Sequence, residues 1–149
     1  LKPAAVVIHG GTNDLARGVN LSVIQNNIRM MATLAEANRI RVILASLLPV
    51  HDYHKDRNPQ YERTKQRPPE QIVQLNRWLQ QFCHQRKFTY VDYYSTMVDA
   101  QGYLRQELSE DGLHPNPTGY RVMAQVLLEA IDRTVPRPQG PQQRRRFPF

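Results

Sequence analysis

Residues 4–14 read Ala-Ala-Val-Val-Ile-His-Gly-Gly-Thr-Asn-Asp, and this stretch decides the fold class. Its first six residues form a short apolar run rich in β-branched side chains, and Gly10 and Gly11 end that run. The pattern is typical of a strand that is buried on both faces of a parallel sheet. Residues 41–47 (R-V-I-L-A-S-L) and the shorter run 88–91 have the same character. We therefore predict three parallel strands.

Three amphipathic helices alternate with these strands. Asn20 is the predicted N-cap of the first, Pro68 and Pro69 begin the second, and Asn116 followed by Pro117 begins the third. The alternation predicts an α/β fold with helices on both faces of a parallel sheet. The apolar positions at helical spacing are Ile24, Ile28, Met31 and Ala35, then Ile72, Leu75, Leu79 and Phe82, and finally Tyr120, Ala124, Leu127 and Ile131.

Length and composition exclude several classes of protein. The chain has 149 residues, with 20 Lys plus Arg against 13 Asp plus Glu and a formal net charge of +7, which suits one domain of ordinary size. Cys83 is the single cysteine, so a disulfide scaffold is excluded. No apolar run approaches the roughly 18–20 residues of a membrane-spanning helix. Because the first residue is Leu1 and not Met, we expect the natural N-terminus to lie upstream.

The last fourteen residues differ from the rest in composition. Residues 136–149 hold four arginines and four prolines with no acidic residue, so we predict a disordered tail after a domain at residues 1–135. A basic tail of this kind can bind nucleic acid or acidic lipid, but short charged runs are usually only solvated, and we favour a solvated terminus. The remaining sequence has no basic stripe with interleaved aromatic residues, and we expect no nucleic-acid partner.

Residues 51–67 form a long polar connection with five basic and three acidic residues. Connections of this length are usually functional lids or disordered insertions. His51 and His54 stand three apart, which suggests a metal site, but no cysteine or carboxylate follows at ligand spacing. The favoured interpretation is two solvated histidines, and no metal is predicted.

Two motifs carry chemistry. Gly10-Gly11-Thr12-Asn13-Asp14 follows a buried strand, where an Asn side chain can donate to a developing oxyanion. Asn and Asp are also common turn and cap residues, and His9 is more often a hydrogen-bonded core histidine than a catalyst. The second motif is Asp111-Gly112-Leu113-His114-Pro115-Asn116. There the Asp can accept a hydrogen bond from the Nδ1–H of the His and leave Nε2 as the base. The alternative is that the segment is only a turn before a capped helix, with an incidental His.

Together, in this order and at strand ends, the motifs resemble the SGNH (GDSL-type) serine hydrolases, a superfamily of esterases and acylhydrolases. G-x-N-D matches that family's oxyanion segment and D-x-x-H-P-N its Asp-His segment, and the likeness runs over residues 2–135. It implies a three-layer α/β/α, flavodoxin-like fold. It also implies that Asn13 is an oxyanion donor, His114 the general base and acid, and Asp111 its partner. Gly11 belongs to the oxyanion segment as a backbone-permissive position.

The family's nucleophile segment, G-D-S, is absent. The resemblance places it after a first strand that precedes Ala5, so we expect only the last three strands of a five-stranded sheet ordered 2-1-3-4-5. The four serines are Ser22, Ser46, Ser95 and Ser109, and none lies in G-D-S or G-x-S-x-G. Of the four, Ser46 is the best candidate for a substitute nucleophile, because it lies near the end of a predicted strand.

The function implied is ester hydrolysis through an acyl-enzyme, without a metal or organic cofactor, on a small-molecule, lipid or carbohydrate ester. This chain would supply the Asp-His pair and the oxyanion Asn but not the Ser, so we expect it to be inactive alone. The alternative is a non-catalytic relative that binds an acyl or carbohydrate ligand. Neither reading assigns a cellular compartment.

Overall fold

A computed structural model of the chain describes residues 2–135, and the predicted disordered tail at residues 136–149 lies outside them. The strands are β1 (Ala5–Ile8), β2 (Arg41–Ala45) and β3 (Thr89–Val91). The helices are α1 (Thr12–Ala16), α2 (Leu21–Ala37), α3 (Arg63–Gln66), α4 (Pro69–Arg86), α5 (Tyr93–Met97) and α6 (Pro117–Thr134), with 3₁₀ turns at Pro59–Tyr61 and Gln106–Leu108.

The three strands form one parallel sheet in the order β1-β2-β3, which confirms the predicted α/β class. Ala5 lies opposite Arg41, and Ile43 lies opposite Thr89. Residues 42–45 of the central strand are all buried, because helices cover the sheet on both sides. The carboxyl ends of all three strands therefore meet at one edge of the sheet, where α/β proteins bind their ligands.

The helices form the two outer layers. On one face, α2 and α4 pack against Val42 and Leu44; on the other, α6 and the start of α5 pack against Ile43 and Ala45. The residues that α2 and α4 bury are Ile24, Ile28, Ala32, Ala35, Ile72, Leu75, Asn76, Leu79, Phe82 and Cys83. Every helix within residues 2–135 is too short or too polar to cross a lipid bilayer.

Parts of two predicted helix faces were wrong. In α6, Tyr120 is 59% exposed and Ala124 is also exposed. In α2, Met31 is 47% exposed and the neighbouring Ala32 is buried in its place. In α6 the buried face includes Gly119, where an added Cβ would lie 2.5 Å from the Leu108 carbonyl oxygen. This close tertiary approach sets the rotation of the helix, and helical spacing alone does not specify it.

A buried amide holds the end of the central strand. Asn76 lies within the apolar face of α4 and is 7% exposed. Its Oδ1 accepts from the Leu47 N–H at 2.7 Å, and its Nδ2 donates to the Leu47 carbonyl at 2.9 Å. The side chain therefore satisfies the backbone where β2 stops, as a neighbouring strand would. It fixes the direction in which the chain leaves the sheet.

Among residues 2–135, β1 pairs only with β2, so its other edge presents unpaired backbone groups. Val7 on this strand is 38% exposed. An exposed apolar edge strand is a site for pairing with another chain. We expect the 149-residue chain, produced alone, to self-associate, with a mass in light scattering that rises with concentration.

Val7→Lys should lower that self-association, because a charge on an edge strand opposes strand addition. Val73→Lys is the matched control, since Val73 is 37% exposed but lies on α4. A monomeric wild-type chain that melts cooperatively, or equal effects of the two substitutions, would contradict this expectation.

Candidate active site

A cavity of about 190 Å³ lies at the carboxyl edge of the sheet. Asn13 of α1 and His114, which precedes α6, both line it although 101 positions separate them in the sequence (114 minus 13). Its other lining residues are His9, Thr12, Leu48, Val50, Leu113 and Pro115. The fold therefore brings the predicted amide and the predicted imidazole to one small, partly apolar space.

Asp111 makes two contacts with His114 and one with the preceding residue, Leu113. The Asp111 Oδ2 lies 2.7 Å from the His114 Nδ1, and Oδ1 accepts from the backbone N–H groups of His114 at 2.8 Å and Leu113 at 2.9 Å. The His114 side chain is 74% exposed, so the rest of the ring is accessible. The carboxylate thus fixes both the loop and the ring.

The ionisation of Asp111 decides which tautomer His114 adopts. Burial alone would raise the pKa of Asp111, but the hydrogen bonds from the backbone and ring of His114 and from Leu113 outweigh it and hold that pKa at about 2. An ionised carboxylate only accepts hydrogen bonds, so the Nδ1 of His114 carries the proton and donates it. In the neutral ring, Nε2 is then the nitrogen with a lone pair, as a general base requires.

The lowered pKa predicts a dependence of stability on pH. A carboxyl group whose pKa falls on folding stabilises the folded state above its ordinary pKa of 3.8, and this contribution is lost as the pH falls through about 2. We therefore expect Asp111→Asn to lower the urea midpoint at pH 7, and the difference from wild type to shrink between about pH 4 and 2. Asp56→Asn, at an exposed aspartate, controls for the lost charge. A difference that stays constant down to pH 2 would contradict the assignment.

The turn before α6 gives the Asp-His pair its shape. Gly112 has a φ of +75°, and its N–H donates to the Ser109 Oγ at 3.0 Å. Asn116 caps α6 by accepting from the N–H groups of Thr118 at 2.9 Å and Gly119 at 3.0 Å. His114 therefore stands between a tight turn and a capped helix, both of which restrict it.

Asn13 is placed by α1, which begins directly after Gly11. Gly11 has a φ of +112°, and an added Cβ would lie 3.1 Å from the Ile24 Cγ2, so the position needs glycine. Gly11 faces the core and is not among the residues that line the cavity. His9 does line it, and its ring meets Tyr93 edge-on at 5.4 Å between centroids. Desolvation by the surrounding atoms lowers the pKa of His9 below its ordinary value of 6.5.

Two arginines that contact Asn13 and Asp111 were not predicted from the sequence. The Arg67 Nη2 donates to the Asn13 Oδ1 at 3.4 Å, and the Arg63 Nη2 forms an ion pair with the Asp111 Oδ2 at 3.3 Å. Both belong to the polar connection at residues 51–67. Arg63 and Arg67 are four positions apart, so in a helical turn they lie on the same side. This spacing is the sequence feature that could have indicated that the two side chains act at one place.

Residues 51–67 are an ordered segment and not a disordered insertion. Asp52 closes the connection by accepting from the Thr64 N–H at 2.9 Å and the Thr64 Oγ1 at 2.6 Å. The His51 N–H donates to the Gly112 carbonyl at 2.9 Å, and the ring of His51 stacks on Tyr53. The segment packs against the Asp-His turn because these side chains satisfy its backbone locally.

None of the four serines lines the cavity. Ser46 is fully buried, and its Oγ accepts from the Tyr94 N–H at 2.9 Å, which removes it as a substitute nucleophile. Ser95 is bound to Asp92, and Ser109 is 2% exposed behind Asp111. The described part of the chain therefore places His114 and Asn13 at the cavity but no serine.

Comparisons with known proteins fit this geometry. The model of the GDSL-like Lipase/Acylhydrolase family matches residues 1–122. A GDSL-like lipase from Bacteroides thetaiotaomicron VPI-5482 is 34% identical, with a TM-score of 0.79 over 89% of this chain and 64% of its own. A mutant acetyl-xylooligosaccharide esterase from Geobacillus stearothermophilus shares the fold at 20% identity, with a TM-score of 0.67 over 87% of this chain and 60% of its own.

N-acylneuraminate cytidylyltransferase of Streptococcus agalactiae is 26% identical over 104 residues, which are 70% of this chain but 22% of that protein. The chain thus spans less than two thirds of the length of each of these relatives.

Proposed function

Because the chain belongs to the GDSL-like lipase and acylhydrolase family, we propose that it is the part of a serine esterase that carries the general base and an oxyanion donor. One observation carries this proposal. His114, whose Nδ1 is hydrogen-bonded to Asp111 so that Nε2 of the neutral ring carries no proton, lines the same cavity as Asn13. A binding module has no need of an imidazole held in this state.

In the proposed reaction, a serine supplied by sequence outside these 149 residues attacks the ester carbonyl. The Nε2 of His114 takes the serine proton, and Asp111 stabilises the imidazolium that forms. The side-chain amide of Asn13 donates to the oxyanion of the tetrahedral intermediate. His114 returns the proton to the departing alcohol, and water then releases the acid by the same steps. The proposal uses no metal or organic cofactor.

Leu48, Val50, Leu113 and Pro115 give the described part of the cavity an apolar wall. We propose that the substrate is a small-molecule, lipid or carbohydrate ester.

The test of the function compares two proteins on p-nitrophenyl acetate. Protein expressed from the complete reading frame should hydrolyse the ester, whereas the 149 residues alone should show little or no turnover, because they lack the nucleophile. Robust hydrolysis by the 149 residues that disappears in His114→Ala would show that a nucleophile lies within them. Absence of hydrolysis by the complete protein, with retained binding of an acyl or carbohydrate ligand, would favour the non-catalytic alternative.

A further inference from the structure

Arg67 is a buried cation behind the Asn13 amide. Its residue surface is 5% exposed, and its guanidinium donates to three neutral oxygens: the Thr12 Oγ1 at 3.1 Å, the Gln66 Oε1 at 3.2 Å and the Asn13 Oδ1 at 3.4 Å. We infer that Arg67 is a positioning residue that orients and polarises the Asn13 amide as an oxyanion donor. The inference rests on the proposed esterase function.

The contact with Arg67 determines which way the Asn13 amide faces. A guanidinium carries only donors, so the atom of Asn13 that it contacts must be the carbonyl oxygen. The Nδ2 of Asn13 is therefore the atom left free to donate. Without Arg67, the terminal torsion of an Asn side chain is broad and roughly two-fold, and the oxygen would face the cavity part of the time. An oxygen in that position would repel an oxyanion.

The charge of Arg67 adds to this effect. In residues 2–135, no carboxylate lies within ion-pair distance of its guanidinium; Asp111, which is paired with the neighbouring Arg63, attracts the charge of Arg67 only from further away. Burying a cation among neutral acceptors is costly for folding, so a structural role alone is a poor explanation for it. A positive charge on the carbonyl side of an amide strengthens its N–H as a donor. It also favours negative charge developing in the adjacent cavity.

The backbone around Arg67 positions its side chain next to Asn13. The N–H of Arg67 donates to the Arg63 carbonyl at 2.9 Å, which closes the α3 turn. Asp52 holds Thr64 on the same turn through two hydrogen bonds, and Pro68 is the N-cap of α4. Arg67 is therefore held between two ordered elements, so its contact with Asn13 needs little further ordering.

Kinetics of single and double variants test the inference, using protein from the complete reading frame. Arg67→Gln should lower kcat for p-nitrophenyl acetate about 10–100-fold with KM little changed, because the interaction matters only when negative charge develops. Arg67→Lys should recover part of that loss. In the background of Asn13→Ala, Arg67→Gln should change kcat less than about threefold, because its effect passes through the missing amide. Arg57→Gln, at an exposed arginine of the same connection, should leave kcat unchanged.

The outcomes separate this inference from the proposed function. Loss of kcat in Asn13→Ala but a kcat within twofold of wild type in Arg67→Gln would overturn the role of Arg67 and leave the esterase intact. Multiplicative effects of the two substitutions would also overturn it, because a general folding defect lowers activity equally in both backgrounds. An unchanged kcat in Asn13→Ala would overturn the role of Asn13 as an oxyanion donor, and with it this inference, whereas absence of hydrolysis by the complete protein would overturn the proposed function itself.

A readout independent of activity uses the side-chain NH₂ signals of Asn13 in NMR spectra, assigned by their loss in Asn13→Asp. These signals should shift in Arg67→Gln but not in Arg57→Gln. If they stay in place in Arg67→Gln, the contact does not hold the amide and the inference fails.

Discussion

His114→Ala is expected to lower kcat/KM for p-nitrophenyl acetate by about 10⁴-fold or more in protein expressed from the complete reading frame. The substitution removes the imidazole that Asp111 holds at the cavity and that the proposed reaction uses as its base. Without a base, the serine hydroxyl stays protonated and attacks poorly. Some rate over water should remain, since oxyanion donors and binding act without the base.

His84→Ala is the matched control for this experiment. His84 is exposed in the last turn of α4, which ends at the opposite edge of the sheet from the cavity. It should keep kcat/KM within about twofold of wild type, and circular dichroism should show that both variants fold. A His114→Ala protein that keeps most of its activity would mean that another group is the base, with His9 the first candidate because it lines the same cavity.

Gly112→Ala is expected to destabilise the protein by about 2–5 kcal/mol. Gly112 has a φ of +75°, in the left-handed region that side chains rarely adopt, and an added Cβ would lie 2.0 Å from the His51 carbonyl oxygen. Neither backbone can move freely, because the His51 N–H is bound to the Gly112 carbonyl at 2.9 Å. The change would force apart the Asp-His turn and the connection at residues 51–67, so activity should also fall.

Gly18→Ala separates the cost of the positive φ from the cost of the clash between an added Cβ and a neighbouring backbone. Gly18 has a similar φ of +71°, but an added Cβ would meet nothing within 4 Å, so only the backbone strain remains. We expect it to cost about 1 kcal/mol in urea denaturation, well below Gly112→Ala. Equal losses in the two variants would show that the contact with His51 contributes nothing to the requirement for glycine.

The three strands and the helix starts could be predicted from the sequence because their signals are local. Residues 42–45 are an unbroken apolar run, and the Asn20 and Asn116 side chains accept from nearby N–H groups as their positions before the helices indicate. The rotation of α6 could not be predicted, because Gly119 packs against Leu108 across a turn that the spacing does not describe. Asn76 was also missed, as a polar residue within an apolar helix face.

By itself, the sequence determined that a parallel sheet would carry an Asn-containing turn and an Asp-His turn at one edge. Those features depend on residues close together in the chain, and strand direction does the rest. Only the tertiary structure decided which side chains contact Asn13 and Asp111 from the side away from the cavity. Arg63 and Arg67 reach Asp111 and Asn13 across 48 and 54 positions of sequence, because Asp52 and Thr64 fold the polar connection back onto the sheet. Such long-range contacts leave no local pattern, so composition described that segment only as polar.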